Sequence, residues 1–139
     1  MMLMPTAKCF ADTNVAIYAV DADVAKREKA LAILATRPVI STQVVNEYLN
    51  VLLTKRKLGR ADANELARAL MATCDVAAVT PDITELAMNI GERYQISHWD
   101  TRIVAAALAA GCDTLYSEDL QDGQVFEGQL TVKNPFVGQ

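Results

Sequence analysis

The chain has a single histidine, His98, and only three cysteines, Cys9, Cys74 and Cys112. The cysteine count is odd, no two have CxxC spacing, and each lies within two residues of an apolar one, so they read as core thiols, not as a disulfide or a zinc set. No apolar run approaches the roughly eighteen residues of a membrane span. The opening MMLMPTAK places no basic segment before its few apolar residues, which speaks against a secretory leader. A protein of the cytoplasm, with no membrane partner, is expected. Linkers rich in proline or glycine, low-complexity segments and internal repeats are also missing, and the expectation is one domain over residues 1–139.

What the chain has in quantity is Ala, Val, Leu and Ile. With 52% hydrophobic and 22% charged residues it can bury a core. Short apolar runs alternate with helical stretches. Ala7 to Ala11, Val39-Ile40, Val76 to Val79, Thr114 to Tyr116 and Leu130 to Val132 read as strands. Helices are expected over 15–20, 22–35, 42–58 with Gly59 as terminator, 61–73, 81–94 opened by Thr80-Pro81-Asp82, and 97–110 closed by Gly111. That alternation predicts an α/β fold, with a mostly parallel central sheet of four to five strands and helices on both faces. In such sheets ligands bind beyond the carboxyl ends of the strands, where strand order reverses.

Several acids sit at those places. Asp12 closes the first strand, Asp119 and Asp122 follow the fourth in YSEDLQDGQ, and Asp100 lies in the first turn of the helix HWDTRIVAAALAAG, on the face of Ile103, Val104 and Ala107. Glu47 borders the apolar arc of the helix that follows the second strand. Each has a structural excuse: Ser97-x-x-Asp100 has capping-box spacing, a border glutamate is usually solvated, and Asp, Gly and Ser are turn residues. Convergence would change that. Two carboxylates about 5 Å apart repel by roughly 3 kcal/mol at an effective dielectric of 20. A cluster of them therefore needs protons or cations, and oxygen-only ligation favours Mg²⁺ or Mn²⁺ over Zn²⁺. Such an ion can activate water and neutralise charge on a phosphodiester under in-line attack.

The formal charge of −4 argues against nucleic acid only if it is spread evenly. Removing the five acids of the candidate site leaves a remainder of +1, and KRKLGR, with Lys55, Arg56, Lys57 and Arg60, is then a basic patch. The bland reading of that run is a solvated helix end. His98 reads as a surface or cap residue, and Trp99 and Tyr48 read as packing residues that could also stack on a base.

The segments Asp12-Thr13-Asn14, QVVNEYLNVL with Glu47, Asp100-x-x-Ile103-x-Ala105-x-Ala107 and Ser117-Glu118-Asp119-Leu120 with Asp122-Gly123 resemble the four acidic motifs of PIN-domain ribonucleases, in particular VapC-type toxins of toxin-antitoxin modules. The likeness runs in order along nearly the whole chain, to Asn134-Pro135-Phe136. It implies a PIN-like three-layer sandwich, endoribonuclease activity dependent on Mg²⁺ or Mn²⁺, an RNA substrate, a homodimer, and a cognate antitoxin docked across the cleft. By position it makes Asp12, Glu47, Asp100 and Asp119 catalytic and metal-holding, with Asp119 rather than its neighbour Glu118 facing inward. Asp122 becomes an auxiliary ligand, and Asn14 and Ser117 bond to the acids. Lys55, Arg56, Lys57, Arg60 and Arg102 are candidate RNA contacts. A phosphoaspartate enzyme of the haloacid-dehalogenase kind wants an acid where this chain has Asn14, and a receiver domain wants an acidic pair that is absent. The remaining rival is a non-catalytic RNA- or protein-binding module whose carboxylates are caps.

Overall fold

The computed structural model describes residues 8–137. Five strands run parallel: β1 (Cys9–Ala11), β2 (Val39–Ser41), β3 (Asp75–Ala77), β4 (Thr114–Tyr116) and β6 (Leu130–Lys133). A two-residue strand, β5 (Val125–Phe126), pairs antiparallel with β6, giving one sheet in the order β3-β2-β1-β4-β6-β5. Consecutive strand residues are buried, Phe10 with Ala11 and Val39 with Ile40 and Ser41. Neighbouring residues point to opposite faces, so the central strands are covered on both sides, as expected for parallel strands.

Among the described residues six helices connect the strands: α1 (Thr13–Tyr18), α2 (Val24–Leu34), α3 (Thr42–Thr54), α4 (Arg60–Thr73), α5 (Pro81–Tyr94) and α6 (His98–Ala109). Helix α1 packs on α2 and α3, α3 on α4, and α5 lies along α6. At the last contact a Cβ on Gly91 would stand 3.3 Å from Thr101 Cγ2, so glycine permits the close approach. Capping follows the sequence: Thr80 Oγ1 accepts from Ile83 N–H at 3.3 Å, and Ser97 Oγ accepts from Asp100 N–H at 3.1 Å. No helix among the described residues is long and apolar enough to cross a membrane.

Two expectations need correction. The sheet has six strands rather than four to five, because β5 is paired through a turn that carries no Asn-Gly signal. Glu127 and Gly128 both take positive φ, 54° and 63°, and Gln129 N–H closes the turn on Phe126 O at 3.0 Å. Gly59 does not end the third helix. Helix α3 stops at Thr54, its Val51 and Leu52 carbonyls accept from the N–H groups of Arg56 and Leu58, and the chain turns through Lys57 at φ 54°. Gly59 instead occupies the N-cap of α4. Ala7, the first residue of the first expected strand, lies outside the described residues.

Strand order reverses at β1, which pairs with β2 on one side and β4 on the other. Asp12 follows β1 directly, and its N–H bonds to Tyr116 O at the end of β4 at 2.9 Å. The switch point of the sheet is therefore where the first acid emerges.

Candidate active site

Asp12 is the N-cap of α1 and only 4% exposed. Its Oδ1 accepts from Thr13 N–H at 2.7 Å and its Oδ2 from the Ser117 hydroxyl at 2.8 Å. Ser117 Oγ in turn accepts from Asp119 N–H at 3.1 Å, which ties the loop after β4 to the loop after β1. Burial pushes the Asp12 carboxyl up to about 7 against the pull of those two bonds, and the charges of Asp119 and Glu47 push it the same way.

Asp119 sits at the solvent edge, where Asn14 Nδ2 donates to its Oδ2 at 3.3 Å. Partial desolvation raises its pKa, the Asn14 amide lowers it, and the charges of Asp100, Glu118 and Glu47 raise it further. Glu118 turns the other way and accepts from the Tyr18 hydroxyl at 2.5 Å. Glu47 is clamped: Thr13 Oγ1 donates to its Oε2 at 2.6 Å, and Gln43 Nε2 to its Oε1 at 3.1 Å. Asp100 joins from the first turn of α6. The acids of β1, α3, α6 and the loop after β4 thus act electrostatically on one another, although they are up to 107 positions apart in the chain.

Asp122 is placed differently. It is exposed, and its Oδ1 accepts from Asn134 N–H at 2.7 Å, so it fastens the loop after β4 to the end of β6. In the basic run, Arg56 pairs with Asp21 Oδ2 at 3.0 Å and is engaged with the loop between α1 and α2, while Lys55, Lys57 and Arg60 are exposed. Of the candidate phosphate contacts only Arg102 lines the cleft beside the acids, a space of about 700 Å³ that also receives Thr13, Gln43, Glu47 and Trp99. Tyr48 is 3% exposed and packs in the core, whereas Trp99 is 58% exposed. Thr13 and Gln43, which hold the Glu47 carboxylate, are positions that reading the acids alone missed. The available signals were the hydroxyl directly after Asp12 and the amide four residues before Glu47 on the same helical face.

All side chains of the cluster offer oxygen or amide donors. Among the described residues no three of its acids already stand close enough to hold one ion between them. The set nonetheless fits a hard cation that keeps much of its water, because the buried Asp12 carboxyl has neutral hydrogen-bond donors and neighbouring acids around it but no paired cation, and Asn14 Oδ1 is buried without a partner. Asp12, Asp100, Asp119 and Glu47 are the residues that would hold it.

A parallel sheet with an acid at its switch point and further acids brought in by two helices defines a class, and the sequence falls within it. The PIN domain family profile matches residues 9–121, and the chain belongs to that family. No curated protein matches it. Its fold is similar to that of VapC20 of Mycobacterium tuberculosis, described as a Sarcin-Ricin loop cleaving toxin, at 24% identity and TM-score 0.64 over 79% of this chain and 88% of that one. A toxin-antitoxin complex from Klebsiella pneumoniae matches at 20% identity and TM-score 0.68, covering 94% and 98%. DNA-bound VapBC from Salmonella typhimurium matches at 13% and 0.72, covering 94% and 99%.

Proposed function

We propose that this protein is an endoribonuclease dependent on Mg²⁺ or Mn²⁺ and the toxin of a toxin-antitoxin pair, with Asp12, Glu47, Asp100 and Asp119 as its catalytic, metal-holding residues. The observation that carries the reading is the buried Asp12 carboxyl, held near a pKa of about 7 by desolvation and by the charges of Asp119 and Glu47. A fold that only needed a helix cap at this position could use an uncharged one, since Ser or Asn caps as well as Asp. Bound at the cluster, the ion supplies positive charge that offsets the scissile phosphate and acidifies water. The chain's own groups do the positioning. Ser117 and Thr13 N–H fix the Asp12 oxygens, Thr13 and Gln43 fix Glu47, and Asn14 orients Asp119. Arg102, on the cleft wall, is placed to meet a phosphate.

The toxin assignment and the antitoxin partner are supported by the Klebsiella pneumoniae neighbour described as a toxin-antitoxin complex and by the likeness to VapBC of Salmonella typhimurium. A homodimer is supported by exposed apolar side chains on α2, where Val24 and Leu31 are 54% and 49% exposed and two turns apart. Asp122 contributes from outside the cluster, through the Asn134 bond that sets the loop carrying Asp119.

The test is incubation of the purified chain, freed of any partner, with a mixed RNA pool in Mg²⁺ or Mn²⁺, against EDTA and an Asp100→Asn control. Cleavage that requires both metal and Asp100 is the expected result. If no RNA is cut and Mn²⁺ leaves the melting temperature unchanged, the carboxylates are caps and the chain is a binding module.

A further inference from the structure

The cleft beside the acids has walls suited to a base as well as a phosphate. Helix α3 contributes Gln43, Asn46, Glu47 and Asn50, and α6 contributes Trp99 and Arg102. Trp99 is 58% exposed, although tryptophan is highly buried on average. The Arg102 guanidinium lies 5.0 Å from the Trp99 ring, so a cation and an aromatic face are presented together. Asn46 and Asn50, both exposed and one turn apart, bring amide donors and acceptors to the opposite wall. Gln43 is 7% exposed, spends its Nε2 on Glu47, and keeps a buried Oε1 with no partner, so acceptor capacity for an N–H is left over.

We infer that this cleft is the subsite for one unstacked base of single-stranded RNA, which stacks on Trp99 with its edge toward the amides of α3 and its phosphate at Arg102. The inference rests on the ribonuclease reading above and adds which wall takes the substrate and in what form. Stacking needs a free base face, which duplex RNA does not offer, and every base has one. The α3 amides then supply preference through donors on the base edge. Glu47 is shared by the cleft and the acid cluster, so a base seated here brings its phosphate to the acids.

Trp99 is the only tryptophan, so its fluorescence reports the subsite directly. The full chain carrying Asp100→Asn would be titrated with short homopolymeric single-stranded RNAs and with a duplex of the same length. Quenching by single strands and not by duplex is expected. In the otherwise unchanged chain, Trp99→Ala should raise KM for RNA roughly ten-fold or more, Trp99→Phe should stay within about three-fold, and both should keep the stabilisation by Mn²⁺. Metal-dependent cleavage with KM unchanged in Trp99→Ala overturns the subsite and leaves the ribonuclease reading in place. Quenching by a co-purified protein partner but by no RNA also overturns it and gives the cleft to that protein. Absence of metal-dependent cleavage of any RNA removes both readings.

Discussion

Asp12 is the residue at which fold and chemistry conflict. Its folded pKa of about 7 lies above the ordinary 3.8, so the folded chain holds a proton there that the unfolded chain releases. Its contribution is most favourable below about pH 4 and is lost as pH rises through about 7, a loss on the order of a few kcal/mol. In chelator, the melting temperature should therefore fall between pH 5 and pH 8 by more than in Asp12→Asn. The amide keeps the Thr13 N–H bond through its oxygen, and the Ser117 hydroxyl can accept from its nitrogen, so Asp12→Asn should also be the more stable protein at pH 8. Equal pH profiles for the two would show that Asp12 is ionised without strain. Thr13→Val removes the 2.6 Å bond to Glu47 and should cost about 1 kcal/mol in urea unfolding. On the proposed reading it should also lower cleavage, because Glu47 is left to Gln43 alone.

At the scale of elements, helix starts carry two of the acids, Asp12 on α1 and Asp100 on α6. Ser97 caps α6, which carries Asp100, Trp99 and Arg102 on its first turn and a half. Ser97→Ala should cost about 1 kcal/mol, read by urea unfolding. Because the fraying is local, amide exchange in 98–101 should rise before the rest of the helix responds. The β5–β6 turn offers a second check. Gly128 sits at φ 63° with open space around it, so Gly128→Ala should cost about 1 kcal/mol through backbone strain and not through a clash. This hairpin also marks where reading the sequence fell short. The signals for α5 were local and strong: a cap hydroxyl, a first-turn proline and an acid fixed its start at Pro81. Strand β5 is two residues long, with no period to read, and its existence depends on pairing with β6.

For the whole molecule, metal binding and protonation compete for the same carboxylates. On the proposed reading, Mn²⁺ should raise the melting temperature more at pH 8 than at pH 5, and differential scanning fluorimetry at both values checks it. A pH-independent shift would place the ion away from Asp12. The net charge of −4 conceals this arrangement, since the buried and edge acids concentrate at one end of the sheet while Arg102 stands beside them.

By itself the sequence determined the alternation of strands and helices, the capped starts of α5 and α6, and the acids that close β1 and open the loop after β4. Those features depend on periodicity, on backbone donors within a turn, and on residue type, all of which are local. The resemblance already favoured Asp119 over Glu118 as the inward acid; only the tertiary structure decided that Glu118 serves Tyr18, that Arg56 is taken by Asp21, and that Asp122 holds Asn134. It likewise left Trp99, which the sequence reads as a packing residue, exposed at the cleft. In each case the choice is between partners distant in sequence, and which of two adjacent side chains finds a donor is set by the packing of elements that no local pattern encodes.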